Sequence, residues 1–201
     1  MAEHTSVKRL QALTEPFSSH NFRYFWIATM LASAGRWMEA VIFSWITLQI
    51  TGSAYMVGIV SACRRIGYGL GPVFGAFIDR YDRRALCLTI TASSVLYGFA
   101  LAFLVTMDLV RPWHVMAIAL LAGLVHACDM PLRFSFAGDL VDKRVLTNAV
   151  ALITVAIDIT AVLGPAIAGP LLDVIGVAGV CWMLTMNYAL NMVALYSIRG
   201  T

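Results

Sequence analysis

Long apolar stretches separated by short polar punctuation set the pattern of this chain. Six runs can be marked: Phe25 to Ile50, Ala54 to Ile78, Ala85 to Met107, Trp113 to near Met130, about Leu146 to Leu172, and about Val177 to Ile198. A helix of about 20 apolar residues crosses a ~30 Å hydrocarbon core, with some tilt where it is longer. The pattern predicts an all-α membrane protein: a single bundle of six transmembrane helices. Residues 1–24 form a polar N-terminal segment, 25–107 hold the first three helices and 108–199 the last three. A polar, partly amphipathic segment follows the fourth run as far as Arg144.

The breaks between runs fix an orientation. With the N-terminus inside, the inner side holds Lys8, Arg9, Arg23, Arg80, Arg83, Arg84, Arg133, Lys143, Arg144 and Arg199, and the outer side holds Arg111. Cytoplasmic loops carry the excess of Lys and Arg. Both termini are therefore expected in the cytoplasm, with the protein in a plasma membrane, as in a bacterial inner membrane.

Composition agrees. Hydrophobic residues make up 60% and charged residues 12% of the chain, against about 25% charge in a soluble domain. The net charge of +3 sits in short loops rather than on one face, which argues against nucleic acid as a partner. Cys63, Cys87, Cys128 and Cys181 all fall inside apolar runs without metal-ligand spacing, so they read as small core residues; no disulfide, metal or cofactor is expected. The polar first 24 residues and the length of the first run do not fit a cleaved signal peptide.

An internal repeat is visible. The second run carries Gly71, Pro72 and Gly75 with Asp79 after them; the fifth carries Gly164, Pro165 and Gly169 with Asp173 after them. Three crossings per copy would invert the two copies in the membrane, an arrangement of many secondary transporters. Glycines and prolines at these positions permit close helix packing and a bend.

Ionisable side chains interrupt four runs: Arg36 and Glu39 in the first, Arg64 and Arg65 in the second, His126 and Asp129 in the fourth, Asp158 in the fifth. Each charge costs roughly 2.5–3.5 kcal/mol at the centre of a lipid-facing helix, so these groups should face a bundle interior or a wet cavity. Arg36 and Glu39 are three apart and can pair, as can His126 and Asp129. A buried carboxylate can serve proton transfer; the competing reading is structural pairs that hold helix register. Arg64 and Arg65 cannot share one face, so one reaches an acid on another helix or an anionic substrate. The third and sixth runs lack charge and are expected toward lipid, with the other four around a cavity. Asn187 and Asn191 are expected to hydrogen-bond to a neighbouring helix.

The stretch Gly75-Ala76-Phe77-Ile78-Asp79-Arg80-Tyr81-Asp82-Arg83-Arg84 resembles the signature loop between the second and third helices of the major facilitator superfamily. Its Asp-Arg-Arg ending is similar to the exporter branch that includes enterobactin exporters and macrolide efflux proteins. Asn21 to Trp26, Trp45 through Gly58, and Asp139 through Gly169 resemble that branch as well. The resemblance implies alternating access and proton-driven export of a small, often amphipathic compound. It implies that Gly75, Asp79, Arg80, Arg83 and Arg84 help close the cytoplasmic side, and that the first and fourth helices face the pathway.

The family has twelve or more spans, and six are marked here. The expected partners are thus the bilayer, a small-molecule substrate and a second six-helix half, either a missing C-terminal half or another copy. Arg133, past Pro131, is expected nearer the cytoplasm than the arginine that many drug–proton antiporters carry inside the fourth helix. A non-transporting membrane scaffold, or a degenerate half, is the alternative. An intramembrane enzyme built on His126 and Asp129 is disfavoured, because no nucleophile motif or His-Glu-x-x-His spacing accompanies them.

Overall fold

The computed structural model describes residues 15–69 and 82–198, and every long element in them is helical. A short 3₁₀ turn, Glu15–Ser18, precedes α1 (His20–Thr51), α2 (Ala54–Gly69), α3 (Arg83–Thr106), α4 (Pro112–Leu140) and α5 (Leu146–Tyr196). Three of these, α3, α4 and α5, are long and apolar enough to cross a membrane by length and composition.

Local signals set the ends. Ser19 caps α1, its hydroxyl accepting from the Phe22 amide, so the helix starts five residues before the apolar run. It stops at Gly52, whose φ of 63° is left-handed; glycine takes that conformation without a Cβ penalty. Asp82 caps α3 by accepting from the Arg84 amide at 3.1 Å. Pro112 opens α4, where a missing N–H costs nothing.

Two boundaries depart from expectation. The fourth run loses apolar character near Met130-Pro131, yet α4 continues through Pro131 to Leu140. A proline inside a membrane helix is tolerated where neighbouring groups satisfy the freed backbone, and the residues beyond it, Leu132, Phe136 and Ala137, are fully buried. The fifth and sixth runs follow one another as helix with no intervening loop, broken only by the non-helical backbone of Gly176 (φ 69°, ψ 174°). A straight helix from Gly164 to Tyr188 would span about 36 Å at 1.5 Å per residue. Both positions nevertheless touch the same stretch of α1: a Cβ on Gly164 would lie 2.9 Å from Trp37 Cβ, and one on Gly35 would lie 2.5 Å from the Tyr188 ring. The chain therefore folds back at Gly176 into a first arm, 146–175, and a second arm, 177–196.

Packing divides the bundle along its length. One apolar core gathers Ile42, Phe43, Ile46, Leu101, Val115 and Leu184. The other gathers Phe22, Phe25, Leu132, Phe136, Ile153 and Leu195. Polar and charged residues of α1, α3, α4 and α5 fill the layer between them. The outside is apolar, with Leu96 and Phe103 of α3, Val162 of α5's first arm and Val193 of its second all exposed, as a lipid-facing surface requires.

α2 crosses α4 where Gly67 meets Gly123: a Cβ on Gly67 would sit 2.5 Å from the Gly123 carbonyl carbon, and one on Gly123 would strike the Arg64 carbonyl oxygen. Glycine there lets the two backbones touch. Gly123→Ala should destabilise the bundle by about 1–3 kcal/mol through overpacking, read as a lowered Tm in detergent. An unchanged Tm would mean that the helices do not cross at this point.

Candidate functional site: a buried carboxylate beside a basic cavity

Glu39 lies midway along α1 with no exposed surface. Four groups from four elements converge on it. Tyr97 of α3 and Tyr188 of α5's second arm each donate a hydroxyl to Oε1 at 2.6 Å. His126 of α4 places Nε2 3.0 Å from Oε2, and Arg64 of α2 places a guanidinium nitrogen 3.6 Å from the same oxygen. The Arg64 guanidinium also donates to the Arg36 carbonyl at 2.6 Å, which ties α2 to α1. A carboxylate so enclosed is held by charge and by hydrogen bonds on both oxygens, which is what makes a buried ion tolerable.

One turn along α4 stands a second buried pair. Arg133 Nε donates to both oxygens of Asp129 at 2.8 and 2.9 Å, and its NH1 donates to Thr29 of α1 at 3.3 Å. Arg133 is 2% exposed. Arg133 follows Pro131, a position expected nearer the cytoplasm, and the helix that continues through the proline buries it inside the bundle.

Beside Glu39, between α1 and α2, opens a cavity of about 530 Å³ lined by Arg36, Trp37, Arg64, Arg65 and Tyr68 among others. The Arg64 guanidinium sits 6.0 Å from the Tyr68 ring centre, in reach of a cation–π contact. Tyr68 stacks in turn on His126 at 6.3 Å.

The expected same-helix pairs do not form. Among the described residues Glu39 pairs with Arg64 and His126 rather than Arg36, and Asp129 pairs with Arg133 rather than His126. One arginine of the Arg64-Arg65 pair does reach an acid on another helix, as expected. The uncharged third and sixth runs, expected toward lipid, do carry exposed apolar residues such as Leu96 and Val193, and each also sends a tyrosine into the polar centre. A tyrosine is apolar enough to hide in a hydrophobic run, and its hydroxyl finds a partner once buried. Asn187 donates to the Leu31 carbonyl of α1 at 2.8 Å, the contact to a neighbouring helix that its position suggested.

Asp158 stands apart. It is exposed on α5's first arm, on a face shared with Val155, Ile159, Val162 and Leu163. Gly164 packs closely on α1, a Cβ on Gly169 would meet nothing within 4 Å, and α5 passes through Pro165 without a break. Of the charged loop, Arg83 and Arg84 are described. Arg83 pairs with Asp139 of α4 at 2.7 Å and Arg84 donates to the Tyr196 carbonyl at 3.1 Å. Gly71, Pro72, Gly75, Asp79 and Arg80 lie outside the described residues.

A helical bundle that is apolar outside, with buried ions gathered beside an internal cavity, defines a multi-pass membrane protein. Residues 12–201 match the transmembrane secretion effector family, and the chain belongs to that family, an exporter-type branch of the major facilitator superfamily. Its sequence is 34% identical over 154 residues to the staphyloferrin A transporter of Staphylococcus aureus. That match covers 76% of this chain and 39% of the relative, so the aligned part of the chain spans well under half of that relative's length. The family is one of transporters rather than enzymes.

Proposed function

We propose that the protein is the N-terminal six-helix half of a secondary transporter that exports a small amphipathic compound by alternating access. One observation carries the reading: a polar centre on Glu39 to which α1 to α5 all contribute, closed on one side by apolar packing and bordered on the other by the α1–α2 cavity. Its volume falls within the roughly 300–1,000 Å³ of small-molecule pockets. Glu39, with Arg64 and His126 against it, is the proton-coupling candidate; Asp129 and Arg133 hold α4 against α1 beside it. Arg36 and Arg65 border the substrate path. Both termini would lie on the cytoplasmic side of the cell membrane, and the two arms of α5 would supply the fifth and sixth spans of an inverted pair of three-helix repeats.

A second half of the same build is proposed to cover the face carrying Asp158. A lone acid amid exposed Val155, Ile159 and Val162 costs roughly 2.5–3.5 kcal/mol against lipid, and a packed partner helix offering a donor removes that cost. The greater length of the staphyloferrin A transporter is consistent with a further half.

The test is efflux. Cells of an efflux-deficient strain that express the chain with a second six-helix half of the family should accumulate less of at least one compound from a diverse panel, with staphyloferrin A included on the strength of the relative's name. Glu39→Gln should return accumulation to the level of empty-vector cells. No change for any compound, with both halves present in the membrane, would leave a membrane scaffold as the better reading.

A further inference from the structure

The α1–α2 cavity carries a charge imbalance that the described residues leave open. Three arginines line it, Arg36, Arg64 and Arg65, and no acid is among its lining residues. Of the three, only Arg64 is answered by Glu39, which lies behind the wall. Two positive charges remain. Arg36 is the telling one: it is only 8% exposed and has no ion-pair partner among the described residues. Arg64 adds a buried Nε with no hydrogen-bond acceptor. Buried donors are normally satisfied, and an exception calls for an absent partner. The buried acid Asp129 feels Arg36 but gives both oxygens to Arg133, and a buried cation without a direct partner is a costly feature for a bundle to hold.

We infer that this cavity binds a carboxylate-bearing small molecule, with Arg36 as its deep anchor, Arg65 at its mouth, and Trp37 and Tyr68 against its apolar body. This assignment deepens the transport reading above and rests on it for its physiological meaning. The chemistry follows from the residue types. A guanidinium fork matches a carboxylate with two parallel N–H···O bonds. Indole and phenol rings offer flat apolar walls, and Ser44 and Ser61 on the lining add hydroxyls for orientation. A cationic substrate would meet a net positive wall; a neutral one would leave Arg36 unanswered. The missing carboxylate could belong either to a small molecule or to a side chain of a second half, and the experiment separates the two.

The purified chain in detergent is titrated with 2-naphthoate and with 2-naphthylmethylammonium, which share a ring system and differ in charge, with tryptophan fluorescence as the readout. The naphthoate should bind saturably and the ammonium should not. Arg36→Gln should weaken naphthoate binding at least tenfold. Because a buried arginine can matter to folding, Arg65→Gln is the companion: its side chain is exposed, and it should weaken binding about threefold with Tm unchanged. Equal binding of the two probes, or naphthoate binding unmoved in both variants, overturns the assignment. The titration is then repeated with a second half assembled. Retained naphthoate binding supports a small molecule as the source of the carboxylate; loss of binding overturns that and gives the site to a side chain of the second half. Efflux of only neutral or cationic compounds, with no naphthoate binding, would leave transport standing and remove this site. Charge-selective binding with no efflux of any compound would do the reverse.

Discussion

Glu39→Ala should destabilise the protein by about 3–5 kcal/mol, the usual cost of removing one partner from a buried charge pair. The substitution leaves Arg64 without its acid, His126 without its acceptor, and two tyrosine hydroxyls pointing at a void. These groups come from α2, α4, α3 and the second arm of α5, so the loss spreads across the bundle rather than staying on α1. Reversible unfolding in mixed micelles measures it. Glu39→Gln keeps the shape and one acceptor oxygen, so it should unfold closer to the parent while losing the charge. The comparison separates Glu39 as a structural hub from Glu39 as a charge the transport cycle uses. A cost below about 1 kcal/mol for the alanine variant, the scale of an exposed ion pair, would mean that the four groups do not converge on this carboxylate.

Asp129→Ala is expected to cost a similar 3–5 kcal/mol, for a simpler reason. Arg133 would keep its charge with 2% of its surface exposed and Thr29 as its one remaining side-chain hydrogen-bond partner among the described residues. Here the double variant discriminates. Asp129→Leu with Arg133→Met replaces the pair by apolar groups and should recover most of the loss, since a buried pair is often matched by hydrophobic residues of similar volume. The corresponding change at Glu39 and Arg64 should not recover, because His126, Tyr97 and Tyr188 stay behind. Coupling energies from the two cycles, measured by the same unfolding assay, should therefore differ. Equal recovery would mean that Glu39 serves Arg64 alone.

The polar centre was half legible. The unusual positions of Glu39, Arg64, His126 and Asp129 announce themselves, because a charge in an apolar run has to be sheltered. Their partners do not. Residues three apart on a helix differ by about 60° in direction, enough for Arg36 to line the cavity with Trp37 while Glu39 turns into the bundle. Whether a three-apart pair closes depends on what the neighbouring helices offer, and here α2 and α4 offer better partners. Tyr97 and Tyr188 were invisible for another reason: in an apolar run a tyrosine reads as packing, and its hydroxyl gains meaning only from what lies across the interface. The burial of Arg133 was not legible because Pro131 suggests an end to the helix, whereas buried Leu132 and Phe136 carry it on.

What the sequence settled alone was the class and the lineage. Solvation is a property of composition: a chain with so few charges has no way to cover a water-exposed surface, and its apolar runs must lie in lipid or in one another. The charged loop and the first hairpin carry the family because they are local patterns, and the family match agrees. What tertiary structure decided was which buried charges meet. Pairing is a property of distance across helices, set by the close glycine crossings at Gly67, Gly123 and Gly35 and by the reversal at Gly176. Those approaches brought an acid of α1 within reach of four other segments, and they left Arg36 on an open cavity with no direct ion pair among the described residues.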